Sequence, residues 1–497
     1  MLYNSTRDKN IKVSASRAIN DGISQDGGLF VPDELPKIDR DFITDIRLKD
    51  YIGRAKAILK MFLPDFTDKE ITDCVNGAYS GTFDNDIPAP ISDMSDGSYI
   101  LELWHGPTCA FKDMALQLLP HLLTRSAKKV ADGKRTVILV ATSGDTGKAA
   151  LEGFKDVENT DIMVFYPNNG VSQTQKMQMT TQEGNNVCVC AIEGNFDDAQ
   201  SGVKRIFTDK AIAAKLAENK MAFSSANSIN WGRLLPQIVY YVSAYCDLLN
   251  KDESIKEFNV VVPTGNFGNI LAAYYAKCMG VPIKKLICAS NRNNVLTDFI
   301  GTGTYDRNRD FHTTISPSMD ILISSNLERL LYHMSGCDDK RVAKWMKSLS
   351  ETGKYTVDDD VKQAIQSMFV GGCADDEQTK NTIHDMFRKY DYLCDTHTAV
   401  ALSVYKKYVD ETKDTAKTVI VSTASPYKFA SDVLDAVEAG AAEGLSGIEA
   451  MHTLSEKTNT PIPEPLAGLE GRKVRFENVI TPNEMDSVVF EYLGIDK

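Results

Sequence analysis

A chain of 497 residues that is 43% hydrophobic can fill the cores of about two or three domains. Its formal net charge of -13 argues against a nucleic-acid or anionic-membrane partner, although local basic residues can still hold an anionic substrate. No stretch is long and apolar enough to span a bilayer, and residues 1–20 are polar, with no apolar signal core.

The N-terminal part, residues 1–95, is mixed. Residues 19–32 read as a helix end, a glycine turn and a short strand. Helical patterns follow at 51–62 and 68–79, and the proline-rich run 87–91 reads as a linker. From residue 98 strands and helices alternate, with strands expected at 98–103, 136–141, 161–166, 187–192, 258–263, 284–290 and 417–422. Such alternation implies an α/β fold with a parallel sheet covered by helices on both faces, and ligands at the C-terminal ends of its strands. Residues 291 to about 395 break the pattern: they are polar and helical, with Leu327, Leu330, Leu331 and Met334 on one helix face. The acidic runs at 358–360 and 374–377 read as solvated loops or helix starts. The ten cysteines include no Cys-x-x-Cys pair. Cys188 and Cys190 would share a strand face without further ligands, so no metal is expected and the thiols fit a reducing cytosol. Cys109 reads as a packing residue.

Three turns carry the chemistry. In the first, Lys112 follows Ala110 and Phe111 and precedes a helical stretch that starts at Asp113. A lysine among apolar neighbours loses its proton more easily, and a neutral amine can form a Schiff base. The alternative is a helix start with Asp113 near its N-terminus and Lys112 in water. In the second, the apolar run 136–141 gives way to Thr142 and to Ser-Gly-Asp-Thr-Gly at 143–147, and a helix follows. A helix N-terminus with added hydroxyls suits a carboxylate. A P-loop is excluded, because Ala149 follows Lys148 where Ser or Thr is required. In the third, the strand ending at Val262 runs into Gly265-Asn-Phe-Gly-Asn269, a cradle for a phosphate without the dinucleotide spacing. An amine, an anion turn and a phosphate cradle together suggest pyridoxal 5'-phosphate, which also needs a partner for its ring nitrogen. The apolar run 418–421 ends in the hydroxyls of Ser422, Thr423 and Ser425. A neutral hydroxyl beside the ring nitrogen suits elimination better than transamination.

These runs resemble motifs of the threonine synthase family, pyridoxal-phosphate enzymes of fold type II, in the longer form found in bacteria and fungi. The resemblance extends over nearly the whole chain: Tyr3-Asn-Ser-Thr-Arg7, Asp26-Gly-Gly-Leu-Phe-Val-Pro32, His105-Gly-Pro-Thr-Cys-Ala-Phe-Lys-Asp113, Ser143-Gly-Asp-Thr-Gly147, Asn227-Ser-Ile-Asn-Trp-Gly-Arg233, Gly265-Asn-Phe-Gly-Asn269 and the run 317–329, in family order. It implies parallel sheets covered by helices in two domains, with an N-terminal domain and a helical insertion. The expected blocks are 1–95, 96–235 with the lysine and the Ser-Gly-Asp-Thr-Gly turn, and 236–497 with the cofactor-phosphate loop and an insertion at about 291–395.

The resemblance also implies roles. Lys112 would be the Schiff-base lysine and proton shuttle. Gly265, Asn266, Phe267, Gly268 and Asn269 would hold the cofactor phosphate, and Thr423 the ring nitrogen. Ser143, Asp145 and Thr146 would meet the amino-acid end of the substrate. Arg233 is a candidate for the substrate phosphate, because its planar fork suits that group, with a helix-surface salt bridge as the alternative. The implied reaction is the conversion of O-phosphohomoserine and water to L-threonine and phosphate by γ-elimination and β-addition of water, in the cytoplasm. A phospho-lyase releasing 2-oxobutyrate and a catalytically idle cofactor-binding protein are the rivals. Monomer and homodimer both stay open. Ser425 departs from the histidine that the family often carries. His105 is read as direct or structural, Lys148 as solvated, Asp395-Thr-His397 as a helix cap, and Tyr240, Tyr241 and Tyr245 as a packed helix face.

Overall fold

The β-branched runs form strands where their pattern places them. A computed structural model describes residues 1–84 and 87–496. Ser98–Glu102, Arg135–Ala141, Thr160–Pro167, Val187–Ile192, Phe258–Pro263, Ile283–Ser290 and Lys417–Ser422 are all strands, and nearly every residue in them is buried. Continuous apolar runs of this kind belong to parallel strands covered on both faces.

The strands form two main sheets. The six-stranded sheet runs Phe369–Cys373, Ile283–Ser290, Phe258–Pro263, Lys417–Ser422, Ser98–Glu102 and Ile91–Asp93. Only its last pair is antiparallel. The five-stranded sheet is wholly parallel and runs Val479–Ile480, Val187–Ile192, Thr160–Pro167, Arg135–Ala141 and Met221–Ser224. Strand order therefore departs from chain order: Ser98–Glu102 sits in the sheet of the later residues, so consecutive blocks at 96–235 and 236–497 do not follow the sheets. The segment 291–395 is mainly helical, yet its strand Phe369–Cys373 closes one edge of the six-stranded sheet.

A long helix, Trp231–Lys251, is buried along most of its length, capped by Asn230, whose side chain accepts from Gly232 N–H. The N-terminal part rests on it. Tyr3 lies 5.3 Å from Trp231 ring to ring and donates its hydroxyl to Phe62 O at 2.8 Å. The helices Tyr51–Phe62 and Asp68–Tyr79 are both present, the second closed by a Thr67–Glu70 capping box. Among the described residues no helix is long and apolar enough to cross a membrane, and no cluster of three metal-ligating side chains occurs. All ten cysteines are free thiols.

Candidate active site

The strand Ser98–Glu102 ends beside the C-terminal end of Lys417–Ser422, and the two following loops are stitched together. Phe111 N–H donates to Thr423 O at 2.8 Å, and Ser425 N–H donates to Cys109 O at 3.0 Å. Within the first loop the Asp113 carboxylate takes Thr108 N–H at 2.8 Å and the Thr108 hydroxyl at 2.6 Å. Gly106 lies over it so closely that a Cβ there would come 2.6 Å from Asp113 Cβ. Burial pushes Asp113 up to about 6. Asp113 thus braces the turn, and Lys112 points inward, only 9% exposed. The solvated-lysine alternative is set aside.

Lys112 Nζ lies 3.5 Å from Asp145 Oδ2 and 4.6 Å from the Phe111 ring centre. Burial lowers its pKa; Asp145 opposes that shift, and the charges of Lys428 and Arg233 reinforce it. Asp145 opens the helix Asp145–Phe154. Its carboxylate also takes Lys428 Nζ at 2.9 Å, Gln175 Nε2 at 2.8 Å and the Ser318 hydroxyl at 3.3 Å. Burial alone would raise the Asp145 pKa, but the ammonium of Lys428 and then that of Lys112 outweigh it and hold it well below the usual carboxylate range. In the same turn Thr142 is structural: its hydroxyl oxygen accepts from Gly144 N–H and Gly147 N–H, both at 2.9 Å. Ser143 and Thr146 are half-buried and their hydroxyls make no hydrogen bond among the described residues.

The glycine turn after Phe258–Pro263 is a preformed cradle. Phe267 takes a left-handed conformation, φ 63°, and the helix Gly268–Met279 starts without a side-chain cap, so its first N–H groups stay free. The segment 317–326 lies along the cradle. Asn266 O accepts from the backbone and side-chain amides of Asn326, both at 3.1 Å, and Gly265 O accepts from the Ser324 hydroxyl at 2.8 Å. Asn269 Oδ1 accepts from Tyr240 at 2.7 Å and from Tyr241, while its Nδ2 is buried without a partner. A row of free amides plus an orphaned buried donor fits a phosphate. Tyr240 and Tyr241, expected only to pack, therefore also orient Asn269.

Arg233 lies in the first turn of Trp231–Lys251 and is buried. Nη1 donates to Ala226 O, Nε has no partner, and no carboxylate pairs with it among the described residues. Burial lowers its pKa to about 10. The surface salt bridge is excluded. A buried, unpaired guanidinium costs several kcal/mol, roughly, and is expected where an anion arrives.

Of the three hydroxyls at the end of Lys417–Ser422, two are engaged. Ser422 accepts from Trp104 Nε1 and from the Thr398 hydroxyl, and Ser425 accepts from Tyr427 N–H as the cap of Pro426–Phe429. The Thr423 hydroxyl has no protein partner among the described residues. His105 is structural, bonded to Glu102 at 2.8 Å and stacked on Trp104. Lys148 is buried and paired with Glu152 and Gln182, not solvated as expected. Asp395 caps Thr396–Thr412 as read, but it also bonds His397 Nδ1 at 2.7 Å, and His397 Nε2 accepts from Ser318 N–H at 3.1 Å. Sequence reasoning passed over Lys428, Gln175 and Ser318. For Lys428 a signal existed: like Lys112, it stands among apolar residues, between Tyr427 and Phe429.

Three family models match the chain in order: Threonine synthase N terminus at residues 2–79, Pyridoxal-phosphate dependent enzyme at 93–359, and Threonine synthase, C-terminal at 398–489. The threonine synthase of Pseudomonas aeruginosa is 37% identical over 471 residues, which cover 95% of this chain and 97% of that one. Threonine synthase-like 1 of Homo sapiens is 40% identical over 442 residues, 86% of this chain but 59% of the longer relative. Among solved structures, PLP-bound threonine synthase from Brucella melitensis superposes with a TM-score of 0.87 at 37% identity, covering 99% of this chain and 98% of that one. The yeast enzyme gives 0.88 at 32%, covering 99% of each chain. The fold is that of fold-type II pyridoxal-phosphate enzymes, and the chain belongs to the threonine synthase family.

Proposed function

We propose that the protein is a threonine synthase of the cytosol, converting O-phosphohomoserine and water to L-threonine and phosphate with pyridoxal 5'-phosphate as cofactor. Lys112 would hold the cofactor aldehyde, residues Gly265 to Asn269 its phosphate, and the free hydroxyl of Thr423 its ring nitrogen. When bound, the cofactor supplies an electron sink joined to the α-carbon of the substrate. The protein supplies the rest. The hydroxyls of Ser143 and Thr146, beside the N-terminus of Asp145–Phe154, receive the substrate carboxylate. Asp145 belongs to that turn, but its carboxylate is engaged by Lys428 at 2.9 Å and faces Lys112 at 3.5 Å, so it shapes their charge and does not approach a carboxylate. Lys112 Nζ, buried and readily neutral, takes the α-proton and returns protons as the γ-phosphate leaves and water adds at the β-carbon.

The observation that carries this reading is Arg233. A site for unphosphorylated amino acids has no use for a buried guanidinium with a free Nε facing no carboxylate. A substrate with a terminal phosphate supplies the missing anion, and the charge that grows as phosphate departs is stabilised there. Free thiols throughout support a reducing compartment, and the acidic surface supports a small-molecule substrate without a nucleic-acid or membrane partner.

Incubation with O-phosphohomoserine, with phosphate and the carbon product both identified, tests the proposal. Threonine equimolar with phosphate supports it. Phosphate with 2-oxobutyrate makes the protein a phospho-lyase, and no phosphate release overturns the substrate.

A further inference from the structure

Two buried lysines share one carboxylate. Asp145 carries one negative charge, and Lys428 and Lys112 both approach it, Lys428 at 2.9 Å on Oδ1 and Lys112 at 3.5 Å on Oδ2. The contest is unequal. The Lys428 side chain is wholly inaccessible, and its other bond goes to a neutral carbonyl, Thr108 O at 2.8 Å. A buried ammonium without a counter-ion is costly, so the carboxylate is spent on Lys428. Lys112 is left beside an anion that is already neutralised.

We propose that Lys428 is a positioning residue that holds the Asp145 carboxylate to itself, so that Lys112 stands as a free amine ready to meet an aldehyde or accept a proton. The inference deepens the proposed function and rests on it only for Lys112 being the reacting amine. The groups that face the two lysines agree with it. Lys112 meets Asp145 from the helix Asp145–Phe154, Lys428 from the turn Pro426–Phe429 and Arg233 from the helix Trp231–Lys251. Lys428 is felt in turn by Asp145, by Asp113 and by Cys109. Gln175 and Ser318 complete the carboxylate's shell and fix its orientation, but they bring no charge.

Without Lys428, Lys112 is the one cation within ion-pair distance of Asp145 among the described residues. The pair then closes as an ordinary salt bridge and Lys112 keeps its proton. The test reads the ionisation of Lys112 directly. The full-length chain, free of aldehyde, is trace-labelled with acetic anhydride across pH, and acetylation of Lys112 is followed by mass spectrometry. In Lys428→Met the reactive fraction of Lys112 at neutral pH should fall about tenfold or more, one unit of pKa being tenfold. Lys428→Arg, which keeps the charge, should stay within about twofold of the parent. Asp145→Asn should label at least as readily as the parent, and the double variant Lys428→Met with Asp145→Asn should recover what the single Lys428 variant lost. The inference is overturned if folded Lys428→Met labels like the parent. If that variant does not fold, the Asp145 variants decide, and slower Lys112 labelling in Asp145→Asn or in the double variant overturns the inference. The readout needs neither substrate nor turnover, so it decides the role of Lys428 even in a protein that makes no threonine.

Discussion

At the scale of single residues, the site is a set of charges held in unusual states by burial. Arg233 is the test of the substrate. Arg233→Ala should lower kcat/KM for O-phosphohomoserine by about a hundredfold or more, the usual loss when a donor to developing charge is removed. Cofactor loading, followed by its absorbance, should survive, since the cradle at 265–269 takes no bond from Arg233 Nε. Loss of both would show that Arg233 serves the cofactor and not the substrate. Lys112 makes a prediction in pH. Its pKa is lowered by burial and by the charges of Lys428 and Arg233, against the pull of Asp145. Only the neutral amine attacks an aldehyde, so the rate of cofactor uptake by the stripped chain should climb with pH and level off below the ordinary lysine range. A plateau reached only at an ordinary lysine pKa would contradict the lowered value. Lys112, the glycine cradle and the Ser-Gly-Asp-Thr-Gly turn were legible because each breaks an apolar run with residue types that do little for packing. The apolar neighbours of Lys428 marked it as unusual but not its role, and nothing marked Ser318, because the importance of both lies in what stands across the fold from them: Thr108, 320 residues from Lys428, and Asp145, 173 residues from Ser318.

Between elements, the short 3-10 turn Pro317–Met319 is a strap joining the lysine site to the phosphate cradle. The Ser318 hydroxyl bonds Asp145, its N–H is received by His397, and its carbonyl lies against Gly265. A Cβ on Gly265 would come 2.6 Å from Ser318 O, a backbone atom that cannot swing aside. Gly265→Ala should therefore weaken pyridoxal-phosphate binding by about tenfold or more, with only modest loss of stability, about 1–3 kcal/mol for a local overpacking. Equilibrium titration of the stripped chain and a urea melt separate the two effects; an unchanged Kd would mean that the strap yields. The same kind of contact explains the strand missed at Phe369–Cys373. Its Gly371 and Gly372 weaken any strand pattern, yet they are there because Cβ atoms would come 2.9 Å from Thr297 Cα and 2.6 Å from Val404 Cγ1. The glycines record helices lying close on both faces, information that a local pattern does not carry.

Across the whole molecule, the central strands were readable because a parallel strand buried on both faces has to be apolar throughout. The assembly of those strands into two sheets was not, since Ser98–Glu102 joins Lys417–Ser422 across more than three hundred residues and nothing in either run names its neighbour. What joins the parts is also polar and buried. Arg329 is fully buried and donates to Phe30 O at 3.0 Å from Nε, to Ile229 O at 2.6 Å from Nη2 and to Asn326 Oδ1 from Nη1. One side chain therefore ties the N-terminal sheet, the segment before the long helix and the end of the segment 317–326 that lies along the cradle. Arg329→Met should cost about 3–5 kcal/mol, because it fills the volume but leaves two carbonyls and an amide oxygen buried without donors.

One helical turn on, His333 adds a pH dependence to the same joint. Burial, and then the charge of Arg329, hold its pKa down at about 4, and its Nε2 meets the Tyr275 hydroxyl at 3.0 Å. The unfolded chain takes up this proton near pH 6.5, whereas the folded chain resists until about pH 4. Stability contributed by the neutral ring is thus complete above pH 6.5 and declines as the pH falls toward 4, by about 3 kcal/mol for this group. Urea unfolding between pH 7 and 4 should show that slope, and His333→Gln, which keeps an acceptor for Tyr275 but cannot titrate, should lose about one proton's worth of it. An unchanged slope in the variant would assign the acid sensitivity elsewhere. A reduced slope would assign that acid sensitivity to His333, at a pH where Asp145, held far below its usual range, is still ionised.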